Sequence, residues 1–145
     1  MTLTMSRTSG FSEQAQMVDG QLMSIYTALN NFREATFQDL SEISEEAKIE
    51  NWAGYESKAI TKNEIENAAR VIQSLPFDIQ NPELGIEPDG QITFEWYKDS
   101  NHVLSMSVDE NRLHYACING LSKSHGEEPF FGQFPERIAF LIRLL

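Results

Sequence analysis

The apolar residues of this chain change their period once, and that change constrains the fold more than any other feature. Up to Leu75 they recur every three or four residues, the repeat of helices with one buried face. After the turn signal Pro88-Asp89-Gly90, Ile92, Phe94 and Trp96 alternate with Thr93, Glu95 and Tyr97. That is the two-residue period of a half-buried strand. Helices followed by consecutive strands predict an α+β fold: N-terminal helices, a three- to four-stranded antiparallel meander and a C-terminal helix.

Residues 1–12 read as a flexible N-terminus and residues 13–145 as a single domain. Within it, a helical part covers 13–75, a connector 76–90, and the sheet with its last helix 91–145. Leu22, Ile25, Tyr26, Leu29 and Phe32 form a first stripe with the spacing of a buried helix face. Asn30-Asn31 either ends this helix or interrupts it. Phe37, Leu40, Ile43, Ala47 and, at its end, Ile49 form a second stripe, with Thr36 as its predicted N-cap and an end near Gly54. Thr61-Lys62-Asn63-Glu64 is a capping-box pattern that opens a third helix through Ile65, Ala68, Ala69, Ile72 and Leu75. Pro76 stops that helix, because proline lacks the N–H and clashes with the preceding turn.

Leu104, Met106 and Val108 predict a second strand, and Leu113, Tyr115 and Cys117 a third. If Asp109–Arg112 turns tightly, Val108 faces Leu113, Met106 faces Tyr115 and Leu104 faces Cys117. Pairing Tyr97 with Val103 then brings Ile92, Phe94 and Trp96 onto the same face, the one consistent register. Residues 121–129 read as a polar loop, and Phe130-Phe131 as a short fourth strand. Pro135 suits the first turn of a last helix that packs through Ile138, Leu141, Ile142 and Leu145.

Composition narrows the function. The 145 residues carry a net charge of −11, which argues against direct nucleic-acid binding, where Lys and Arg supply most of the affinity. Residues 1–90 hold 15 acidic and 6 basic residues, so the acidity belongs mainly to the N-terminal part. Glu42, Glu46 and Glu50 are spaced to form one stripe on a helix: a solvated face, or a dock for a basic partner. The single cysteine, Cys117, excludes an internal disulfide and fits a cytoplasmic, reducing setting. No apolar run approaches the ~20 residues of a membrane helix, and the first ten residues do not read as a signal peptide.

Chemistry-bearing residues are sparse. The register places Thr93, Ser107 and His114 in one row, with Glu95 diagonal to it, but no oxyanion-hole segment accompanies them. His102, His114, His125 and Cys117 lack the paired spacing of a metal site, so neither a metal nor a cofactor is expected. His125 and Gly126 sit in the expected 121–129 loop, where they serve either a site or a tight turn. Trp52 and Tyr55 flank Gly54 at a helix end, as packing anchors or as interface aromatics.

Several of these stretches occur together in a recognisable order. Asn51-Trp52-Ala53-Gly54-Tyr55 and Ala59-Ile60-Thr61 precede Pro88-Asp89-Gly90-Gln91-Ile92-Thr93-Phe94-Glu95-Trp96. Leu113-His114-Tyr115-Ala116, Ser124-His125-Gly126 and Phe131-Gly132-Gln133-Phe134-Pro135-Glu136 follow. From about residue 50 onward the chain resembles a widespread, uncharacterised family of small bacterial proteins that share this order of motifs. Ala53 stands where that family commonly has Asp, and Glu56-Ser57 where it has Gly-Ala. The resemblance brings no activity with it; it implies an accessory role of the kind found beside mobile or defence genes.

The expected function is a non-enzymatic module that binds a protein partner, as an antitoxin or immunity protein does. Glu42, Glu46, Glu50, Trp52 and Tyr55 are its interface candidates, and acidic charge would speed capture of a basic partner. The alternatives are an acidic inhibitor of a nucleic-acid-binding complex, whose carboxylates mimic phosphates, and a small enzyme using His114 or His125.

Overall fold

A computed structural model describes residues 9–54 and 56–145. Among them are three helices and five strands: α1 (Ser9–Glu46), α2 (Lys62–Ser74), β1 (Glu83–Ile86), β2 (Ile92–Asp99), β3 (His102–Asp109), β4 (Arg112–Asn119), β5 (Ser122–Pro129) and α3 (Glu136–Arg143). The chain divides into two compact units, one ending at Phe32 and the other running from Arg33 to Leu145.

The second unit is an α+β fold built on an antiparallel five-stranded meander in the order β1-β2-β3-β4-β5. The register follows the alternation in the sequence. Tyr97 pairs with Val103, Trp96 with Leu104 and Phe94 with Met106. Leu104, Met106 and Val108 in turn face Cys117, Tyr115 and Leu113. All nine side chains of that face are buried. Ala68, Val71 and Ile72 of α2, and Ile138, Ala139 and Ile142 of α3, join the same core with Phe130 and Phe134. Burying such aliphatic and aromatic side chains stabilises by roughly 1.5–3 kcal/mol each, so this face is a large contributor to the unit's stability.

The strands are five rather than three or four. Residues 122–129, expected as a loop, pair along their whole length with β4, from Asn119–Ser122 to Arg112–Pro129. Polar sequence hid this strand because it lies at the sheet edge, where backbone bonding to one neighbour suffices and charges discourage edge-to-edge pairing. Gly120 supplies the positive φ (66°) of the two-residue turn that leads into it. Phe130, expected in a strand of its own, follows β5 and is buried. β1 was hidden differently, as four residues inside a proline-rich connector.

The two N-terminal stripes belong to one 38-residue helix, which ends at Glu46 rather than near Gly54 and leaves Ile49 exposed beyond it. Asn30-Asn31 does not end it, since asparagine costs only a few tenths of a kcal/mol inside a helix. Thr36 is therefore no N-cap; it is buried in the middle of α1. Residues 1–8 of the expected flexible terminus lie outside the described residues, and residues 9–12 are helical. The capping box of α2 forms as read: Glu64 N–H donates to the Thr61 hydroxyl at 3.2 Å, and Thr61 N–H to the Glu64 carboxylate at 2.8 Å.

Arg33 opens the second unit with a buried side chain. Its guanidinium donates to the Asn81 side chain at 2.6 Å and to the carbonyls of Pro76 and Ile79 at 2.6 and 2.8 Å. These bonds hold the later part of α1 to the connector. Burial lowers the Arg33 pKa, and the charge of Asp78 works against that shift.

Candidate functional site

The helical stretch of α1 before Arg33 departs most from expectation. Its apolar stripe is not buried: Leu22 is 60% exposed and Ile25 57%, with Val18, Met17 and Met23 similarly open and Phe32 at 39%. Their three-four spacing is the one that buries a helix face, yet among the described residues these side chains are exposed. Tyr26 and Leu29 of the same stripe have side chains outside the described residues. Exposed apolar patches on a protein surface are over-represented at interaction sites.

The acidic stripe is shorter than read. Glu42 and Glu46 lie one turn apart on α1 and are exposed, but the helix ends at Glu46 and Glu50 falls in the turn beyond it. A three-residue stripe therefore does not form. The turn after α1 begins at Ala47, whose carbonyl accepts from Ile60 N–H at 2.8 Å.

Trp52 is half-buried against the core, and its indole N–H donates to the Lys58 carbonyl at 2.7 Å. Those contacts make it an anchor of the 51–58 loop. Asn51 takes a positive φ (62°), and its N–H donates to Ser57 at 2.7 Å, closing the loop on itself. Tyr55 lies outside the described residues. Lys58 N–H reaches the carbonyl of Pro88 at 2.7 Å. At Gly90, φ is +90° and a β-carbon would stand 3.3 Å from both the Ala59 carbonyl and the Glu64 carboxylate. The Asn-Trp loop and the Pro-Asp-Gly turn, far apart in sequence, thus form one clasp.

His125 and Gly126 lie in β5, not in a loop. Gly126 is paired with Tyr115, and a β-carbon there would stand 3.0 Å from the Tyr115 hydroxyl. Arg137 Nε donates to that same hydroxyl at 2.9 Å. Gly126 makes room for the phenol and α3 supplies its partner, so the His-Tyr-Ala and Ser-His-Gly stretches and the helix that follows Phe-Pro-Glu meet at one side chain. His125 is exposed on the other face of the strand.

The row read from the sequence exists and extends one strand further. Thr93 pairs with Ser107, Ser107 with His114 and His114 with Glu127. His114 Nδ1 lies 3.3 Å from the Glu127 carboxylate, which also sits 3.5 Å from Arg112. Serine, histidine and carboxylate are thus neighbours on the open sheet face, with 42% of the imidazole exposed. Acyl transfer needs donors aimed at a developing oxyanion and a site shielded from water, and an open sheet face offers no such shielding.

A concavity of about 610 Å³ lies elsewhere, bordered by Asp78, Glu83, Glu95, Tyr97, Lys98 and Arg143. Neither His114 nor His125 lines it. Its strongest polar feature is already internally satisfied: Arg143 donates to both oxygens of Asp78, at 2.8 and 3.1 Å. That bond holds the Asp78 carboxyl below its ordinary range and raises Arg143. Sequence reading missed this pair because 65 residues separate its members.

Cys117 is buried in the core, and burial pushes its thiol pKa up. Among the described residues no three His, Cys, Asp or Glu side chains are grouped to hold a metal ion. Nor is any described helix long and apolar enough to cross a membrane. No family model, curated protein or solved structure matches the chain.

Proposed function

We propose that this chain is a non-enzymatic protein-binding module of the antitoxin or immunity kind, which acts by occupying a partner in the cytoplasm. The observation that carries the reading is the exposed apolar stripe Val18, Leu22, Ile25 and Phe32 on α1. Leaving such side chains in water is unfavourable, and a partner surface relieves that cost. Glu42, Glu45 and Glu46 lie later on the same helix and are exposed, so a partner with basic groups gains electrostatic steering from them.

The test compares tagged wild type with the Leu22→Asp/Ile25→Asp variant, both recovered from the native host. Proteins that accompany wild type and are lost from the folded variant support the reading. The same companions on both, or none on either, would sink it.

A further inference from the structure

The exposed stripe also indicates what covers it. Val18, Leu22, Ile25 and Phe32 follow steps of four, three and seven residues, and in the sequence Phe11, Ala15 and Leu29 hold the intervening places of the same repeat. The order from Phe11 to Phe32 is an unbroken alternation of fours and threes. On a helix these seven positions span about 100°, and their four-three alternation is the repeat of a coiled-coil seam. The repeat breaks after Phe32. Steps of four lead to Thr36 and Leu40, which are buried in the second unit. One helix thus carries two kinds of face: an apolar repeat exposed at Val18, Leu22 and Ile25, and, after Phe32, a face buried in the second unit.

Charge selects the occupant. Between Ser9 and Phe32 the only side chains charged at neutral pH are Glu13 and Asp19, and neither occupies a seam position. The other 20 of the 22 acidic residues all lie from Glu34 onward. Copies of a chain with net charge −11 repel one another, and this segment is where that repulsion is weakest. Acidic residues beyond Phe32 can steer a basic partner, but the stripe itself offers it no charge to pair with. A seam repeating every seven residues is matched by a helix with the same repeat, and a further copy of this chain provides one.

The area is sufficient. Val18, Leu22, Ile25 and Phe32, with Met17 on the flank, offer roughly 400 Å² of apolar surface per chain at ~60–120 Å² per side chain. Two such surfaces at about 60% apolar content correspond to an interface of roughly 1,300 Å², within the range of specific association.

We infer that the Ser9–Phe32 part of α1 is a self-association helix that packs against the same segment of further copies. The inference rests on the protein-binding reading and names the partner of that surface. Leu22 and Leu29 take the first seam place and Val18 and Ile25, both β-branched, the fourth. In parallel assemblies that order favours three or four strands over two.

Sedimentation equilibrium of the purified full chain tests this. Wild type is expected at a multiple of the 16.5 kDa chain mass, with Leu22→Asp/Ile25→Asp reduced to 16.5 kDa. Ser24→Asp/Asn31→Asp adds the same charge on the opposite side of the helix and is expected to stay associated. Near-ultraviolet circular dichroism from Trp52 and Trp96, both in the second unit, verifies that each variant is folded. Monomeric wild type, or association that survives the Leu22/Ile25 variant, overturns the inference. Monomeric wild type that still recruits host proteins through Leu22 and Ile25 overturns self-association alone and leaves the binding-module reading standing.

Discussion

Arg33 and Asn81, 48 residues apart, are joined by a 2.6 Å hydrogen bond from the guanidinium to the side-chain carbonyl. The same buried guanidinium holds two backbone carbonyls of the connector. Hydrogen bonds to a charged group contribute about 1.5–3 kcal/mol, and removal leaves buried acceptors unpaired. Arg33→Ala should therefore destabilise the second unit by about 2–4 kcal/mol in urea unfolding. Arg33→Lys should recover little, because an ammonium does not reproduce the fork that reaches three acceptors. A loss below about 0.5 kcal/mol, the level of an ordinary surface substitution, would mean that the bonds contribute nothing net.

The contrast between this arginine and the residues around it explains what the sequence reveals. Strands β2 to β4 were legible down to register, because alternation puts Phe94, Met106 and Tyr115 on one buried face. The capping box at Thr61 was legible because its chemistry is local. Arg33 was not, since a lone basic residue in an amphipathic stretch looks solvated until its distant partners are placed. β5 was invisible because backbone pairing with β4, not side-chain burial, defines an edge strand. The first stripe of α1 was read correctly as apolar, but Leu22 and Ile25, expected to be buried, are exposed: spacing shows that a face seeks cover, not what provides it.

Tyr115 makes Gly126 a packing requirement. A β-carbon at 126 would press on the phenol at 3.0–3.3 Å, so Gly126→Ala should cost about 1–3 kcal/mol. Tyr115→Phe loses only the Arg137 bond and should cost about 0.5–1.5 kcal/mol. Combined, the two should cost less than their sum, because removing the hydroxyl relieves the closest contact. Additivity in chemical denaturation would show that the two side chains do not share this space.

Asp78 ties stability to pH. Its carboxyl is held low chiefly by the hydrogen bond from Arg143, so its contribution is present above the unfolded value near ~4 and is lost as pH falls through the lower folded value. Melting temperature should fall on the acid side of that range, and Asp78→Asn should flatten part of the fall while leaving neutral-pH stability only modestly reduced. An identical acid limb in the variant would exclude this pair as its source.

Cys117 should behave as a buried hydrophobe. Burial raises its thiol pKa and shields the sulfur, so a thiol reagent should label it slowly in the native protein and rapidly after unfolding. Rapid native labelling would place the sulfur at the surface.

Gly20 lies within α1 with no atom near the position of a β-carbon. Replacing it with alanine should strengthen the helix by about 0.5–1 kcal/mol. It sits off the seam, so Gly20→Ala should raise helical content by circular dichroism and sharpen association rather than abolish it. A loss of association would mean that the seam runs along a different side of the helix.

The central claim is that the surface of α1 up to Phe32 is a self-association element, and peptide-resolved hydrogen exchange measured across a range of protein concentrations tests it most directly. The account predicts that amides of residues 17–32 gain protection as concentration rises, while those of the sheet, including Phe94, Met106 and Tyr115, stay unchanged. Exchange in residues 17–32 that is rapid and independent of concentration would contradict it.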